Sequence, residues 1–257
     1  MRWHSVRFRD RSDAGHRLAQ ALAQEPLPDP LVLAIPRGGV PIAARIAEAL
    51  RCPWDVVVVQ KLAFSWNPEL GFGAVALDGT VVQNHNLLER TQSSPGEVEH
   101  VKGEVLREAE RREQIYRGGR PFPRVAGCSV ILTDDGLASG YTMLAAVECL
   151  KKAGPRQVIV ASPVASDCAV GLVQPAVDRL VTLHVSDASS FAVGSFYRAF
   201  SQLTDEEVLM TLNAGRPPAP PTSGYSGEAA EAGQAGGGTP GRRGGVGVWG
   251  FLAGGVK

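Results

Sequence analysis

Two stretches of this chain combine residue types suited to a ligand that is both hydroxylated and phosphorylated. Residues Val130 to Met143 read VILTDDGLASGYTM: a short apolar run, two adjacent carboxylates, then a loop of small residues ending in hydroxyls. The run Val130, Ile131, Leu132 has the composition of a strand covered on both faces, which sets Asp134 and Asp135 at its carboxyl end. Gly136, Ala138, Ser139, Gly140 and Thr142 then form a loop opening a helix predicted over Tyr141 to Lys152. A helix start exposes unpaired amides and the positive end of the helix dipole, and both favour a phosphate. Two acids beside a phosphate cradle point to a sugar phosphate. The competing reading is a strand ending in a helix cap, but capping needs one short polar residue, not two acids and five small ones. Far upstream, Leu31 to Ala43 read LVLAIPRGGVPIA: a second apolar strand, then Arg37, Gly38 and Gly39, then a helix pattern from Val40 to Leu50. Paired glycines let a ligand approach the main chain closely.

The elements around these stretches alternate. An amphipathic helix is predicted over Ser12 to Gln24, with Leu18 and Leu22 on one face. Strands follow at Leu31 to Ile35 and Asp55 to Gln60. Phe72 to Leu77 and Thr80 to Gln83 flank Asp78 and Gly79, a turn pair that signals a hairpin. Pro95 to Arg117 is highly charged, with a stripe of Val98, Val101, Val105 and Ala109, and reads as a charge-laced surface helix. Strands at Gln157 to Pro163 and Arg179 to Val185 enclose a helix near Asp167 to Gln174. The alternation predicts an α/β fold, a doubly wound parallel sheet with helices on both faces, carrying a small hairpin and helix insertion whose charged helical part spans about residues 85–120. In such folds ligands bind beyond the carboxyl ends of the strands, where both motifs fall.

The acid pair and its loop resemble the phosphoribosyl-diphosphate signature of type I phosphoribosyltransferases. That resemblance implies that Asp134 and Asp135 hold the 2- and 3-hydroxyls of the ribose. Ala138, Ser139, Gly140, Tyr141 and Thr142 would hold its 5-phosphate, with Ser139 and Thr142 adding hydroxyl donors. The loop of Arg37, Gly38 and Gly39 corresponds to the family's pyrophosphate loop, with Arg37 as the charged partner, because a guanidinium makes paired hydrogen bonds to phosphate oxygens. Magnesium is implied as cofactor, bridging pyrophosphate and ribose oxygens and reaching Asp134 or Asp135 through water. Lys61 and the following LAFSWNPELGFGAV resemble a segment of the predicted bacterial phosphoribosyltransferase subgroup, and Lys61 would then answer the charge of the leaving group. The bland alternative for Lys61 is a solvated charge at a strand end. FAVGSFYRAFSQLTDEEVLMTL, from Phe191 to Leu212, resembles the carboxyl end of that subgroup, so the resemblance covers roughly residues 5–212. The implied reaction transfers a phosphoribosyl group to an unidentified acceptor, a nitrogenous base by the family's habit, with release of pyrophosphate. A sensor that binds phosphoribosyl diphosphate without turning it over is the alternative.

Two positions depart from the family. Members acting on 6-oxopurines carry an acid where this chain has Ala138, which disfavours that acceptor class. Tyr141 stands where glycine, alanine or lysine is usual, so the direction of its ring decides whether the loop is open. Phe191, Phe196 and Tyr197 are candidates to stack on a base, although aromatics at such spacing are more often core.

Composition supports a small-molecule partner. The 257 residues carry 26 basic and 26 acidic side chains and are 44% hydrophobic, enough for a full core and with no electrostatic footprint for nucleic acid or an anionic membrane. No apolar run nears the roughly 20 residues of a membrane span. The N-terminus lacks the apolar region of a secretory signal, so a cytoplasmic protein is expected, compatible with a homo-oligomer. Cys52, Cys128, Cys149 and Cys168 lack metal-site spacing and read as reduced, buried thiols. Residues 213–257, rich in glycine with Pro217, Pro218, Pro220 and Pro221 at the start, are expected to be disordered, since they cannot offset an ordering cost of about 1 to 2 kcal/mol per residue.

Overall fold

The computed structural model describes residues 8–188 and 190–215. Its frame is a five-stranded parallel sheet in the order β2-β1-β6-β7-β8, formed by Trp54–Val56 (β2), Pro30–Ala34 (β1), Ser129–Thr133 (β6), Gln157–Ser166 (β7) and Arg179–Ser186 (β8). Side chains alternate across a strand, so each central strand feeds two cores. Leu31, Leu33, Val130, Leu132, Val158 and Val160 face one way, against Met143, Ala146 and Leu150 of helix α5 (Tyr141–Lys151) and Ala169 and Val173 of α6 (Asp167–Val173). Val32, Ala34, Ile131 and Ile159 face the other, against α1 (Arg11–Leu22), α2 (Gly39–Leu50) and α7 (Asp205–Gly215). The predicted doubly wound architecture is therefore present.

The insertion is a second, antiparallel sheet, β3-β4-β5, made by Val59–Phe64, Asn67–Ala76 and Val81–Gln83, with α3 (His85–Arg90) and α4 (Pro95–Arg117) following. Gly79 turns the expected hairpin at φ +83°, a conformation that glycine adopts without steric cost. Leu62, Phe64, Phe72 and Val75 pack with Val101 of α4. Ser94 and Glu97 cap α4 reciprocally, and Pro95 sits in its first turn, which fixes its start where the sequence signals one.

Several expectations are corrected. The run Asp55 to Gln60 is not one strand: Val57 and Val58 hand the chain from the parallel sheet to the hairpin sheet. Helix α4 keeps an exposed side as far as Gln114, but its end is not a solvated face, because Glu113, Tyr116 and Arg117 are buried there. There Arg117 is ion-paired with Glu113 and, at 2.7 Å, with Asp55. Strand β7 continues to Ser166 rather than stopping at Pro163. Asn213, Ala214 and Gly215 complete α7, and a Cβ on Gly215 would lie 2.6 Å from the Trp54 indole nitrogen, so the boundary expected after Leu212 moves outward. The rest of the expected tail lies outside the described residues. Of the four thiols only Cys149 is buried, and Cys168 is exposed. Among the described residues, no helix is long and apolar enough to cross a membrane.

Candidate active site

Strands β1 and β6 are neighbours in register, Ala34 opposite Thr133, and the Ile35 amide donates to the Thr133 carbonyl at 2.9 Å. The loops that follow them therefore leave the same edge of the sheet side by side. Their approach is closer than a side chain would allow: a Cβ on Gly38 would lie 2.1 Å from Asp135 Oδ2, and one on Gly39 would lie 2.5 Å from the Thr133 carbonyl oxygen. Gly38 has an ordinary helical conformation, φ −60° and ψ −37°, so space and not backbone freedom demands glycine there. The peptide bond between Pro36 and Arg37 is cis. The two stretches singled out in the sequence thus form one site.

The acids are held from several sides. Asp134 Oδ1 accepts from the Asp135 amide at 2.8 Å. Asp135 Oδ2 accepts from Arg11 Nε at 2.8 Å, the two side chains being only 16% and 10% exposed. Arg11 also donates through Nη1 to the Ser201 carbonyl at 2.9 Å and lies 3.9 Å from the centre of the Phe200 ring. Tyr197 Oη donates to the Asp135 carbonyl at 2.7 Å. Burial, then the charge of Asp135 beside it, pushes the Asp134 carboxyl well above the ordinary carboxylate range. Burial also raises Asp135, against the opposing pull of Arg11. Two carboxyls sharing a single cation in a partly desolvated place gain from a further positive charge.

The loop after the acids is pinned to the end of β7. The Leu137 amide donates to the Val164 carbonyl and the Ser166 amide to the Leu137 carbonyl, both at 2.9 Å, while Ser166 Oγ donates to the Ala138 carbonyl at 2.6 Å. Gly140, at φ +82°, turns the chain into α5, and Ala138 and Ser139 are exposed. The amides from Ala138 to Met143 have no acceptor among the described residues, which is the pattern of an anion cradle. Tyr141 packs against the core under α5, so its ring does not fill the loop.

Arg37, one-third exposed, extends from the first loop with Nη1 3.6 Å from Asp205 Oδ1 of α7. Lys61 is not gathered in with it. Its ammonium donates to the carbonyls of Pro68 at 3.1 Å and Glu69 at 2.7 Å, closing its own hairpin. Phe196 and Tyr197 are buried with Phe8, and Phe191 packs against them, as the core reading expected. Arg11 and Asp205 were not singled out in the sequence. The partner of Arg11 lies 124 residues away, and no local spacing announces it.

The phosphoribosyl transferase domain family matches residues 9–194. A putative phosphoribosyl transferase of Mycobacterium tuberculosis strain H37Rv is 39% identical over 206 residues, 80% of this chain and 46% of its own length; its counterpart in strain CDC 1551 matches equally. The chain therefore spans about half the length of these curated relatives. The crystal structure of TT1426 from Thermus thermophilus superposes with a TM-score of 0.68 at 38% identity, covering 82% of this chain and all of that one. With the match spanning both loops and the sheet that presents them, the chain belongs to the type I phosphoribosyltransferase family.

Proposed function

We propose that this protein binds phosphoribosyl diphosphate with magnesium and transfers its phosphoribosyl group to a nitrogenous acceptor, releasing pyrophosphate. The observation that carries this reading is the main chain of Gly38 lying against the carboxyl of Asp135, which brings a pyrophosphate loop and a ribose clamp within reach of one ligand. Asp134 and Asp135 would accept hydrogen bonds from the two ribose hydroxyls, fixing the sugar ring. The free amides from Ala138 onward, with the hydroxyls of Ser139 and Thr142, would hold the 5-phosphate. As the bond from C1 to pyrophosphate breaks, negative charge grows on the leaving group, and Arg37 would answer it with donors already in place. The amide of Gly38 would lie beside it for the same purpose, whereas the Gly39 amide is already given to the Ile35 carbonyl at 3.0 Å.

The residues present suit magnesium. Among the described residues no group of three metal-ligating side chains exists, yet this ion needs only one or two carboxylates beside substrate oxygens and water. Asp134 or Asp135 would hold it through water, and when bound it would neutralise charge on the pyrophosphate. The raised affinity of Asp134 for protons fits a carboxyl awaiting such a cation.

Calorimetric titration with phosphoribosyl diphosphate and magnesium tests the binding step, and pyrophosphate release against a panel of nucleobases tests transfer. Engagement of Lys61 by its own hairpin favours a second reading, a sensor that binds the donor without turnover. Binding with no release for any acceptor would select it.

A further inference from the structure

We propose that Asp205 is a positioning residue that aims Arg37 at the pyrophosphate of the donor, and that helix α4 holds Asp205 for this task; the inference rests on the reading of Arg37 given above. Asp205 is the first residue of α7. Its Oδ1 accepts from Tyr116 Oη at 2.5 Å and lies 3.6 Å from Arg37 Nη1, while its Oδ2 lies 3.6 Å from Arg111 Nη2. Tyr116 is fully buried, so it is a fixed post. Arg111 is in turn held by two hydrogen bonds to Glu108, at 2.7 and 2.9 Å. Asp205 is therefore gripped from the α4 side and cannot follow Arg37 if that side chain swings.

The contact with Arg37 is an ion pair without a hydrogen bond, since 3.6 Å exceeds hydrogen-bond reach. Among the described residues it is the one ion pair Arg37 makes. A guanidinium has five donors, so a partner at one nitrogen steers the group and leaves the rest of its fork for phosphate oxygens. An arginine on a glycine loop otherwise loses side-chain freedom when it binds, and prior anchoring removes part of that cost. The Tyr116 hydrogen bond holds the Asp205 carboxyl below the usual carboxylate range, so it stays ionised wherever Arg37 would work. The opposite role, in which Asp205 is a rival anion that pyrophosphate must displace, predicts the opposite sign in the same experiment.

The test titrates the full chain with phosphoribosyl diphosphate plus magnesium and, separately, with ribose 5-phosphate, which lacks the group that Arg37 would meet. Asp205→Asn should weaken the first ligand about two- to fivefold, within the range of a part-exposed ion pair, and leave the second unchanged. Asp205→Glu should restore most of the loss. Tyr116→Phe, which removes a single oxygen, should give a smaller loss with the same selectivity and carries the test if Asp205→Asn fails to fold. Equal weakening of both ligands would mean that Asp205 is merely structural and would overturn the inference, as would tighter binding of the diphosphate. A wild-type protein that binds neither ligand would instead overturn the reading of the site itself.

Discussion

Replacing Gly38 by alanine tests the junction on which the site depends. The new Cβ would lie 2.1 Å from Oδ2 and 2.4 Å from Cγ of Asp135, where non-bonded carbons need about 3.5 Å. One side must yield by more than an ångström, and the acid is not free to do so, because Arg11 holds it at 2.8 Å with both side chains largely covered. Overpacking of this kind costs about 1 to 3 kcal/mol. The backbone at Gly38 is already helical, so alanine also gains about 0.4 to 1 kcal/mol by restricting the unfolded chain. The expected net loss is roughly 0 to 2.5 kcal/mol, read from urea denaturation as a lower midpoint at unchanged slope. Affinity for phosphoribosyl diphosphate should fall by about tenfold or more, since tenfold corresponds to only about 1.4 kcal/mol. Gly103→Ala is the control. It lies within α4 with its nearest neighbour, the Arg107 Nη1 atom, at 3.8 Å, and should gain about 0.5 to 1 kcal/mol. If Gly38→Ala proves as stable as that control, the Asp135 carboxyl does not lie against the glycine loop.

Three further predictions concern charges and thiols. The folded-state affinity of Asp134 for protons is raised, so the wild type should lose stability as pH climbs from the ordinary aspartate value toward its folded value. Asp134→Asn should melt higher at neutral pH, converge with wild type in acid, and bind the sugar phosphate less well; a difference independent of pH would refute the assignment. Asp135→Asn should cost about 1 to 3 kcal/mol of ribose affinity, and unchanged affinity in that variant would remove Asp135 from the site. Burial pushes the Cys149 thiol up to about 12 and Cys52 up to about 11, while Cys168 is exposed. Iodoacetamide at about pH 8 should therefore label Cys168 first, and mass spectrometry finding Cys149 modified in the folded protein would contradict this.

The parts of the fold visible in the sequence are those whose signal is local. The apolar runs before Arg37 and Asp134, the Asp78 and Gly79 turn, and the charged helical stripe that begins at Pro95 each announce themselves within a few residues. Valines 56 to 59 conceal a boundary because all four are buried, and uniform burial erases the alternation that would mark one strand ending and another beginning. Buried Glu113 and Arg117 looked like more of a solvated face, since only the folded chain supplies the Asp55 partner that makes their burial tolerable. The phosphate loop and acid pair could be read because one ligand dictates several adjacent residue types. Arg11 and Asp205 could not, because each acts through a partner distant in the chain.

The pairing of Pro30 with Ser129 and of Ala34 with Thr133 also bears on when affinity can arise. No continuous fragment that stops short of β6 holds both jaws, and joining strands so far apart closes a long loop before any contact rewards it. Between the jaws, along the chain, lie α2, β2, the hairpin sheet, α3 and α4. Capture of a ligand during refolding would thus announce a finished central pairing, and the emerging chain has no half-built grip that a donor sugar could use as a nucleus.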